Sequence, residues 1–410
     1  MIKYFSYSII TRGLVAVINF LLLILSSKFL GIETRGQIGL LLLNIANVQI
    51  ISEIFSGYAL VHFIPKFNLK KTFYFGALWI VIITLIGTLI LYFLNYLIKG
   101  YELDFVLISL LVIANTFCMV IILGKGNIRL YNWLSILQPL ILFAVLTFNI
   151  FIEKKLVLDA YLEGLYFSFG CALIISLTSV LKYLKLSDIK EDFHLIQILK
   201  NGFLSQWSNW MHLLANRFSY YILSVYALSW LGLYSTATSL AESVWVIYSG
   251  ISTVVLSYVS NETDSQKRKK ISIQAASFSW ALSLFAIITL LLIPENWLLW
   301  LLGKSFVGIK ENIFILAPGI WLIGYSAVLS HYFSGIGILK YNAIGNTISC
   351  LFTICFSSYL IKKYGIKGAS ITASISYSIE AIMITFFFIS NQKIKFKELL
   401  NFSLKLPEKS

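Results

Sequence analysis

Apolar runs long enough to cross a bilayer recur along almost the whole chain, and this repetition limits what it can fold into. A hydrocarbon layer of about 30 Å takes about 20 residues of α-helix. Twelve candidate spans follow from the pattern: 8–30, 37–64, 72–98, 103–123, 133–152, 161–183, 203–226, 231–259, 271–293, 313–333, 342–361 and 368–390. Hydrocarbon offers no water to exposed backbone groups, so spanning segments are helices or closed barrels. A barrel would show segments of about ten residues with alternating polarity, and the chain has none. Of its 410 residues 59% are hydrophobic and 12% charged, a balance that no soluble domain shows. The first apolar run is too long for a signal-peptide core, and no small-residue cleavage site follows it.

The charge pattern orients these spans. With the N-terminus placed in the cytoplasm, 21 basic residues fall on the cytoplasmic side and 10 on the other, and Arg217 lies between them within a span. Cytoplasmic enrichment of Lys and Arg is the usual topology signal, so both termini are expected inside. The net charge of +14 and the run Lys267-Arg268-Lys269-Lys270 are read the same way, and no nucleic-acid partner is implied.

The longest linker is charged and then amphipathic, and it divides the spans six and six. The expected organisation is an N-terminal six-helix bundle (1–184), a cytoplasmic amphipathic linker (185–201), a C-terminal six-helix bundle (202–392) and a basic cytoplasmic tail (393–410). The halves echo each other. Lys28-Phe29-Leu30-Gly31 closes the first span as Ser229-Trp230-Leu231-Gly232 closes the seventh. Gly124-Lys125-Gly126 with Tyr131-Asn132 follows the fourth span, and Gly335-Ile336-Gly337 with Tyr341-Asn342 follows the tenth. A six-span repeat keeps its orientation, and transporters built from repeats bind substrate near the midplane. The expected fold is an all-α polytopic membrane protein, with about twelve transmembrane helices in two six-helix pseudo-symmetric bundles around a central cavity.

One span is far too polar for lipid. In 203–226 the residues Ser205, Asn209, His212, Asn216 and Ser219 are spaced by 4, 3, 4 and 3, so they share one helical face. Gln206 and Arg217 flank that face. Such a surface must face protein or a water-filled cavity. Helix–helix hydrogen bonding and a transport-cavity wall are both consistent with it. Further ionisable groups sit inside spans: Glu53, Glu242 and Glu380, with Arg12 near the inner end of the first span. Arg217 and Glu242 lie at matching depths on either side of a short turn near 227–231, so they are expected to pair if their faces agree. Glu53 has Gln49, Ser52 and Ser56 near it on the helix surface. Glu380 stands among Ser374, Ser376 and Ser378, where packing against another helix would account for it.

Enzyme signatures are missing: the chain has no HExxH, GxSxG or Walker lysine motif and no carboxylate-rich external loop. His62, His194, His212 and His331 are scattered and suggest no metal site. The four cysteines, Cys118, Cys171, Cys350 and Cys355, lie in apolar segments without metal-ligand spacing, so they read as small core residues with no disulfide.

At this point a resemblance carries the reading further. Asn216-Arg217-Phe218-Ser219-Tyr220-Tyr221-Ile222-Leu223, leading to Leu231-Gly232-Leu233-Tyr234-Ser235-Thr236-Ala237 and Leu240-Ala241-Glu242, resembles the seventh and eighth helices of Wzx-type polysaccharide flippases. These belong to the multidrug/oligosaccharidyl-lipid/polysaccharide exporter superfamily. Leu30-Gly31 through Arg35-Gly36, Gly303, Ala317-Pro318-Gly319, Gly335-Ile336-Gly337, Asn342, Asn346 and Gly365-Ile366-Lys367-Gly368-Ala369 extend the resemblance over nearly the whole chain. The family often has an acidic residue two positions after the span-seven arginine. This chain has Ser219 there, so a coupling role would fall to Glu242 or Glu53.

The resemblance implies a transporter rather than an enzyme. It would export undecaprenyl-diphosphate-linked oligosaccharide repeat units, of O-antigen or capsule, across the bacterial cytoplasmic (inner) membrane by alternating access. Implied partners are the lipid-linked oligosaccharide, membrane lipids and other polysaccharide-assembly membrane proteins. No cofactor is implied, and a proton or sodium gradient is the expected drive. Arg217, Asn216, His212, Asn209, Gln206, Arg12 and Glu53 are the candidate cavity residues, and Glu242, Glu53 and Glu380 the coupling candidates. A diphosphate needs cationic partners at membrane depth, which Arg217 and Arg12 supply. A drug or cation antiporter of the same fold, and a multispan polysaccharide polymerase, are the rival readings.

Overall fold

The second helix of the structure, a computed structural model, shows how these sequences become membrane helices. α2 (Leu69–Phe93) exposes Leu78, Ile82, Leu85 and Leu89 at steps of 4, 3 and 4, while its buried face carries Thr72, Gly76 and Thr84. The outward stripe is apolar, as lipid requires, and the buried face mixes these small or polar residues with Leu69, Ile80 and Leu91. The structure describes residues 2–57, 60–61, 63–64, 68–185 and 195–394; it leaves the side chains of 2–10, 201, 204 and 205 undescribed. His62, His194, most of the expected linker and the tail from 395 therefore lie outside the described residues.

The remaining helices are α1 (Ile2–Ser56), α3 (Glu102–Gly124), α4 (Ile128–Phe151), α5 (Leu158–Lys185), α6 (Leu195–Tyr226), α7 (Leu228–Glu242), α8 (Trp245–Asn261), α9 (Ser265–Leu292), α10 (Glu295–Leu302), α11 (Ile309–Gly335), α12 (Lys340–Tyr364) and α13 (Ile366–Gln392). Each of the twelve expected spans has its counterpart. α1 supplies two arms on either side of Gly31, whose φ of 85° and ψ of 171° break the helix. α7 and α8 fall on the eighth expected span as a pair of helices bent by 46° that are together long and apolar enough to cross a membrane. Among the described residues, nine helices are long and apolar enough to cross a membrane, or ten with the bent pair. α6 has the length, at 32 residues, but its polar face keeps it outside that set. It also begins at Leu195, earlier than the 203 expected from sequence.

Contacts divide the chain into two compact units, Met1–Trp210 and Met211–Ser410. The division falls inside α6, whereas the sequence suggested the linker at 185–201. In the N-terminal unit α1 packs on α2, α3, α4 and α5, and α5 packs on α3 and α4. Here α6 meets α1 very closely. Gly202 lies against the backbone carbonyl of Ile54, and a Cβ on Gly57 would lie 2.9 Å from Gln206 Nε2. In the C-terminal unit α11 is the central helix, touching α7, α8, α9, α12 and α13. Pro318 interrupts its hydrogen-bond ladder. Ser374 Oγ of α13 compensates by accepting from the Gly319 N–H at 3.2 Å. Neighbouring Ser side chains satisfy freed backbone groups in this way in membrane helices.

The cysteine expectation needs correction. All four are free, and Cys118 and Cys350 are buried, but Cys171 and Cys355 are exposed on α5 and α12. Exposure costs little where the surroundings are lipid, so an apolar segment does not by itself indicate a core position.

The repeat is visible in the backbone. After α3 the N–H groups of Lys125, Gly126 and Asn127 donate to the carbonyls of Ile121, Leu123 and Ile122. After α11 those of Ile336, Gly337 and Ile338 donate to Tyr332, Ser334 and Phe333, the same pattern 211 residues on. Gly126 and Gly337 have φ values of 79° and 77°. The other sequence echo is not positional: Gly31 breaks α1, whereas Gly232 lies inside α7 and the break before it falls at Ala227. Space around Gly126 and Gly337 is open, so a side chain there meets only the left-handed backbone penalty. Gly126→Ala and Gly337→Ala are each expected to cost about 1–2 kcal/mol, to equal extents, measurable as matched falls in the unfolding temperature of the purified protein. A clear inequality would mean that the two turns are not equivalent.

Candidate functional site

Three helices of the C-terminal unit converge on the arginine that the sequence singled out. Arg217 projects from α6, Glu242 is the last residue of α7, and Tyr377 lies on α13. The guanidinium binds both carboxylate oxygens. Arg217 Nη1 donates to Glu242 Oε1 at 2.6 Å, and Nη2 donates to Oε2. The Tyr377 hydroxyl donates to Glu242 Oε1, also at 2.6 Å. Arg217 lies 5.3 Å from the centroid of the Tyr220 ring, adding a cation–π contact. The expected pairing across the α6–α7 turn is thus present. Side-chain exposure is 21% for Arg217 and 9% for Glu242. In so dry a setting the Coulomb attraction is strong, but it must offset the loss of hydration of both ions. The planar fork, filled by two oxygens, makes that possible.

A second pair sits one turn away. His212 Nδ1 lies 3.2 Å from Glu380 Oε2, and His212 Nε2 lies 3.0 Å from Asn216 Nδ2. With the proton on Nδ1, the ring donates to Glu380 and accepts from Asn216. Glu380 therefore does more than pack against a helix: it reaches α6 across 168 residues of sequence. Protonation of the ring would turn Nε2 into a donor, and Asn216 could meet it only by presenting its Oδ1. That oxygen is buried and has no hydrogen-bond partner in the present arrangement. The Trp245 ring connects the two pairs, with its centroid 6.3 Å from that of His212 and 5.7 Å from that of Tyr377.

The scaffold behind the site is polar too. Thr353 Oγ1 of α12 and Ser376 Oγ of α13 donate to the Ala215 carbonyl at 3.0 and 3.4 Å, and Ser349 bonds Ser376. These bonds hold α6 between the positions of His212 and Arg217. Ser219, where the resembled family often carries an acid, is buried at 2% exposure. The local carboxylates are Glu242 and Glu380 instead.

The other candidates fall in the N-terminal unit. Glu53 Oε1 accepts from Gln49 Nε2 at 2.8 Å, and Trp79 Nε1 donates to the Ser52 carbonyl. On α6, Asn209 Nδ2 donates to Gln206 Oε1 at 3.0 Å, and Trp210 Nε1 donates to Asn47 Oδ1 at 3.0 Å. Gln206 is buried while Asn209 is exposed, so the polar face of α6 is not uniform. The Ser205 side chain lies outside the described residues. Arg12 is exposed on the first arm of α1. Among the described residues no cluster of three or more His, Cys, Asp or Glu is arranged to hold a metal ion.

The sequence reading missed Tyr377 and Trp245. A signal for each was present: Tyr377 precedes Glu380 by three residues and Trp245 follows Glu242 by three, the spacing of a shared helical face. Removing one partner of a buried ion pair leaves the other charge uncompensated. Arg217→Ala is expected to destabilise the fold by about 3–5 kcal/mol, and Arg217→Ala with Glu242→Ala by clearly less. Both effects can be read as shifts in unfolding temperature. A double variant as unstable as the single one would mean that the pair is not coupled.

No protein-family model and no curated protein sequence matches the chain. Solved structures do. The lipid II flippase MurJ in an inward closed conformation superposes with a TM-score of 0.73, at 15% identity over 98% of this chain and 89% of its own. An inward-facing multidrug-resistance MATE transporter of the MOP superfamily gives 0.65 at 12% identity over 96% of both chains. A MOP-superfamily transporter from Pyrococcus furiosus, described as having a binding pocket of reversed polarity, gives 0.67 at 15% identity, covering 96% of this chain and 97% of that one. At these identities the likeness establishes the fold: this chain has the all-α, multi-span fold of those transporters.

Proposed function

We propose that the chain is a flippase that translocates polyprenyl-diphosphate-linked oligosaccharide across the bacterial cytoplasmic membrane by alternating access, with an O-antigen or capsule repeat unit as cargo. The observation that carries this reading is the buried Arg217, a permanent cation at membrane depth whose fork is filled by a carboxylate. A diphosphate oxygen pair has the geometry to replace Glu242 on that fork. Glu242 would then keep one hydrogen bond, from Tyr377, which lowers the cost of releasing it. The resemblance of residues 216–242 to Wzx-type flippases and the shared fold with a lipid II flippase support the same reading. Neutral sugar hydroxyls would be met by Asn216, and by Asn209 and Gln206 of α6. Other polysaccharide-assembly membrane proteins would supply and consume the cargo.

The His212–Glu380 pair is the proposed coupling site, with a proton as the simplest ion because the ring and carboxylate already share one. Glu53 is the second coupling candidate, in the N-terminal unit. One observation favours the drug or cation antiporter instead. With His212 neutral, Glu242 and Glu380 outnumber Arg217, and a net negative site suits a cationic substrate.

The deciding experiment uses a strain lacking the gene. Lipid extracts analysed by mass spectrometry should show accumulated polyprenyl-diphosphate oligosaccharide, cleared when the wild-type gene is restored but not by Arg217→Lys, which keeps the charge and loses the fork. No accumulation, together with heightened sensitivity to cationic drugs, would replace this reading with the antiporter. In proteoliposomes, Glu380→Gln should abolish the stimulation of transport by a proton gradient; full stimulation would remove the pair from the coupling role.

A further inference from the structure

One end of the C-terminal unit carries a charge pattern that the topology rule does not explain. Several observations place the pieces at the same end. Glu311, in the first turn of α11, is paired with Lys367, in the first turn of α13, at 2.5 Å. α12 ends at Tyr364 and leads directly into α13 through Gly365, against which Trp230 of the first turn of α7 packs. α9 ends at Leu292 and leads into α10, and the Glu295 carboxylate accepts from the Gly308 N–H just before α11.

α10, between α9 and α11 at this end, is an amphipathic helix of eight residues. Leu298 and Leu302 are buried beneath it, while Trp297 and Trp300 are 70% and 73% exposed on the other side. Tyr359 and Tyr364 of α12 are also largely exposed. Lys363 stands over both rings, at 6.0 and 5.1 Å. Exposed Trp and Tyr at the end of a membrane bundle mark the headgroup level. Five lysines share this end, Lys304, Lys310, Lys362, Lys363 and Lys367, against two acids, Glu295 and Glu311. Both acids are already engaged, and among the described residues no carboxylate pairs with Lys304, Lys362 or Lys363.

The N-terminal unit lacks this excess. On the side that the sequence topology makes equivalent, five basic residues (Lys28, Arg35, Lys99, Lys154, Lys155) meet six acidic ones (Glu33, Glu102, Asp104, Glu153, Asp159, Glu163). Lys155 is moreover bound by Glu153 and Glu163. The positive collar is thus confined to one unit, and by the two-to-one topology count it lies on the side that should be poor in lysine.

We infer that this aromatic and lysine collar is a recognition surface for anionic phospholipid headgroups. The tryptophans of α10 and the tyrosines of α12 seat in the headgroup–acyl boundary, and Lys304, Lys362 and Lys363 take the phosphates. Ammonium groups on long flexible stems suit headgroups that differ in position from one lipid to the next. The surface does not depend on the transport reading, and its test reads lipid binding alone.

The full-length protein, purified in mild detergent, is incubated with an equal mixture of phosphatidylglycerol and phosphatidylcholine of matched chains. The lipids retained are then counted by native mass spectrometry. Wild-type protein should retain the glycerol lipid preferentially. The triple variant K304Q/K362Q/K363Q should lower the ratio by at least about fivefold, the effect of one lysine at a membrane surface. K99Q/K154Q, on the N-terminal unit, should leave it unchanged, and K304R/K362R/K363R should preserve the preference. A wild-type ratio near one, an unchanged ratio in the glutamine variant, an equal fall in K99Q/K154Q, or loss of the preference in the arginine variant would each overturn the assignment.

Discussion

Everything in this molecule follows from the absence of water in hydrocarbon. A backbone or side-chain polar group left without a partner there costs several kcal/mol, so each departure from an apolar helix must be answered by a specific neighbour. Pro318 frees a backbone position on α11, and Ser374 meets the N–H of Gly319. Arg217 enters the membrane, and Glu242, Tyr377 and the Tyr220 ring surround it. His212 comes with Glu380 and Asn216. The charged groups of the site are tied to partners on other helices, whereas many buried hydroxyls, such as those of Ser56, Thr236 and Thr372, bond the carbonyl one turn back on their own helix. A helix bundle whose outer surface is as apolar as its solvent gains no packing force from hydrophobic burial. Small residues at close crossings, such as Gly202 against Ile54 and Gly319 against Ser374, take over that role.

Much of this was legible in the sequence, for a definite reason. Apolar length reports bilayer thickness directly, so the twelve spans could be read one by one, including the two arms of α1 and the bent α7–α8 span. Depth could be read as well, because residues count off along a helix at a fixed rise. That is how Arg217 and Glu242 could be placed opposite each other. Azimuth was harder. A membrane helix buries its polar side and shows its apolar side to lipid, so Cys171 and Cys355 looked like core residues and are exposed. Partners distant in sequence were harder still. Nothing within the run around Glu380 points to His212, 168 residues earlier, since the choice of facing helix is made by the tertiary fold.

The two ion pairs differ in kind. Arg217 holds its charge at every physiological pH, and its fork is filled by the Glu242 carboxylate. His212 faces Glu380 through Nδ1 and Asn216 through Nε2, so the ring nitrogen facing Asn216 would change from acceptor to donor if the ring took up a second proton. α6 carries both His212 and Arg217, five residues apart, and Trp245 lies near both neighbourhoods from the far side of the α7–α8 bend. A guanidinium and an imidazole, each facing a carboxylate, are thus built into a single helical segment, backed by the Ser349, Thr353 and Ser376 hydroxyls.

α6 also has a bearing on how the gene can be divided. The charged linker looks like the natural seam between two six-helix modules, and a split there would be the obvious choice for co-expressed fragments. Yet α6, which starts at Leu195 inside the expected linker, belongs through Trp210 to the N-terminal unit: Gly202 sits on the Ile54 carbonyl, Gln206 beside Gly57, and the Trp210 indole on Asn47. A C-terminal fragment beginning at the linker would carry four turns of helix shaped to fit a surface it no longer contains. The N-terminal fragment would lose these contacts to α1 and Gly57. The compact N-terminal unit thus reaches past the linker into α6, and fusion or complementation schemes that treat the linker as a free joint would separate Gly202, Gln206 and Trp210 from Ile54, Gly57 and Asn47.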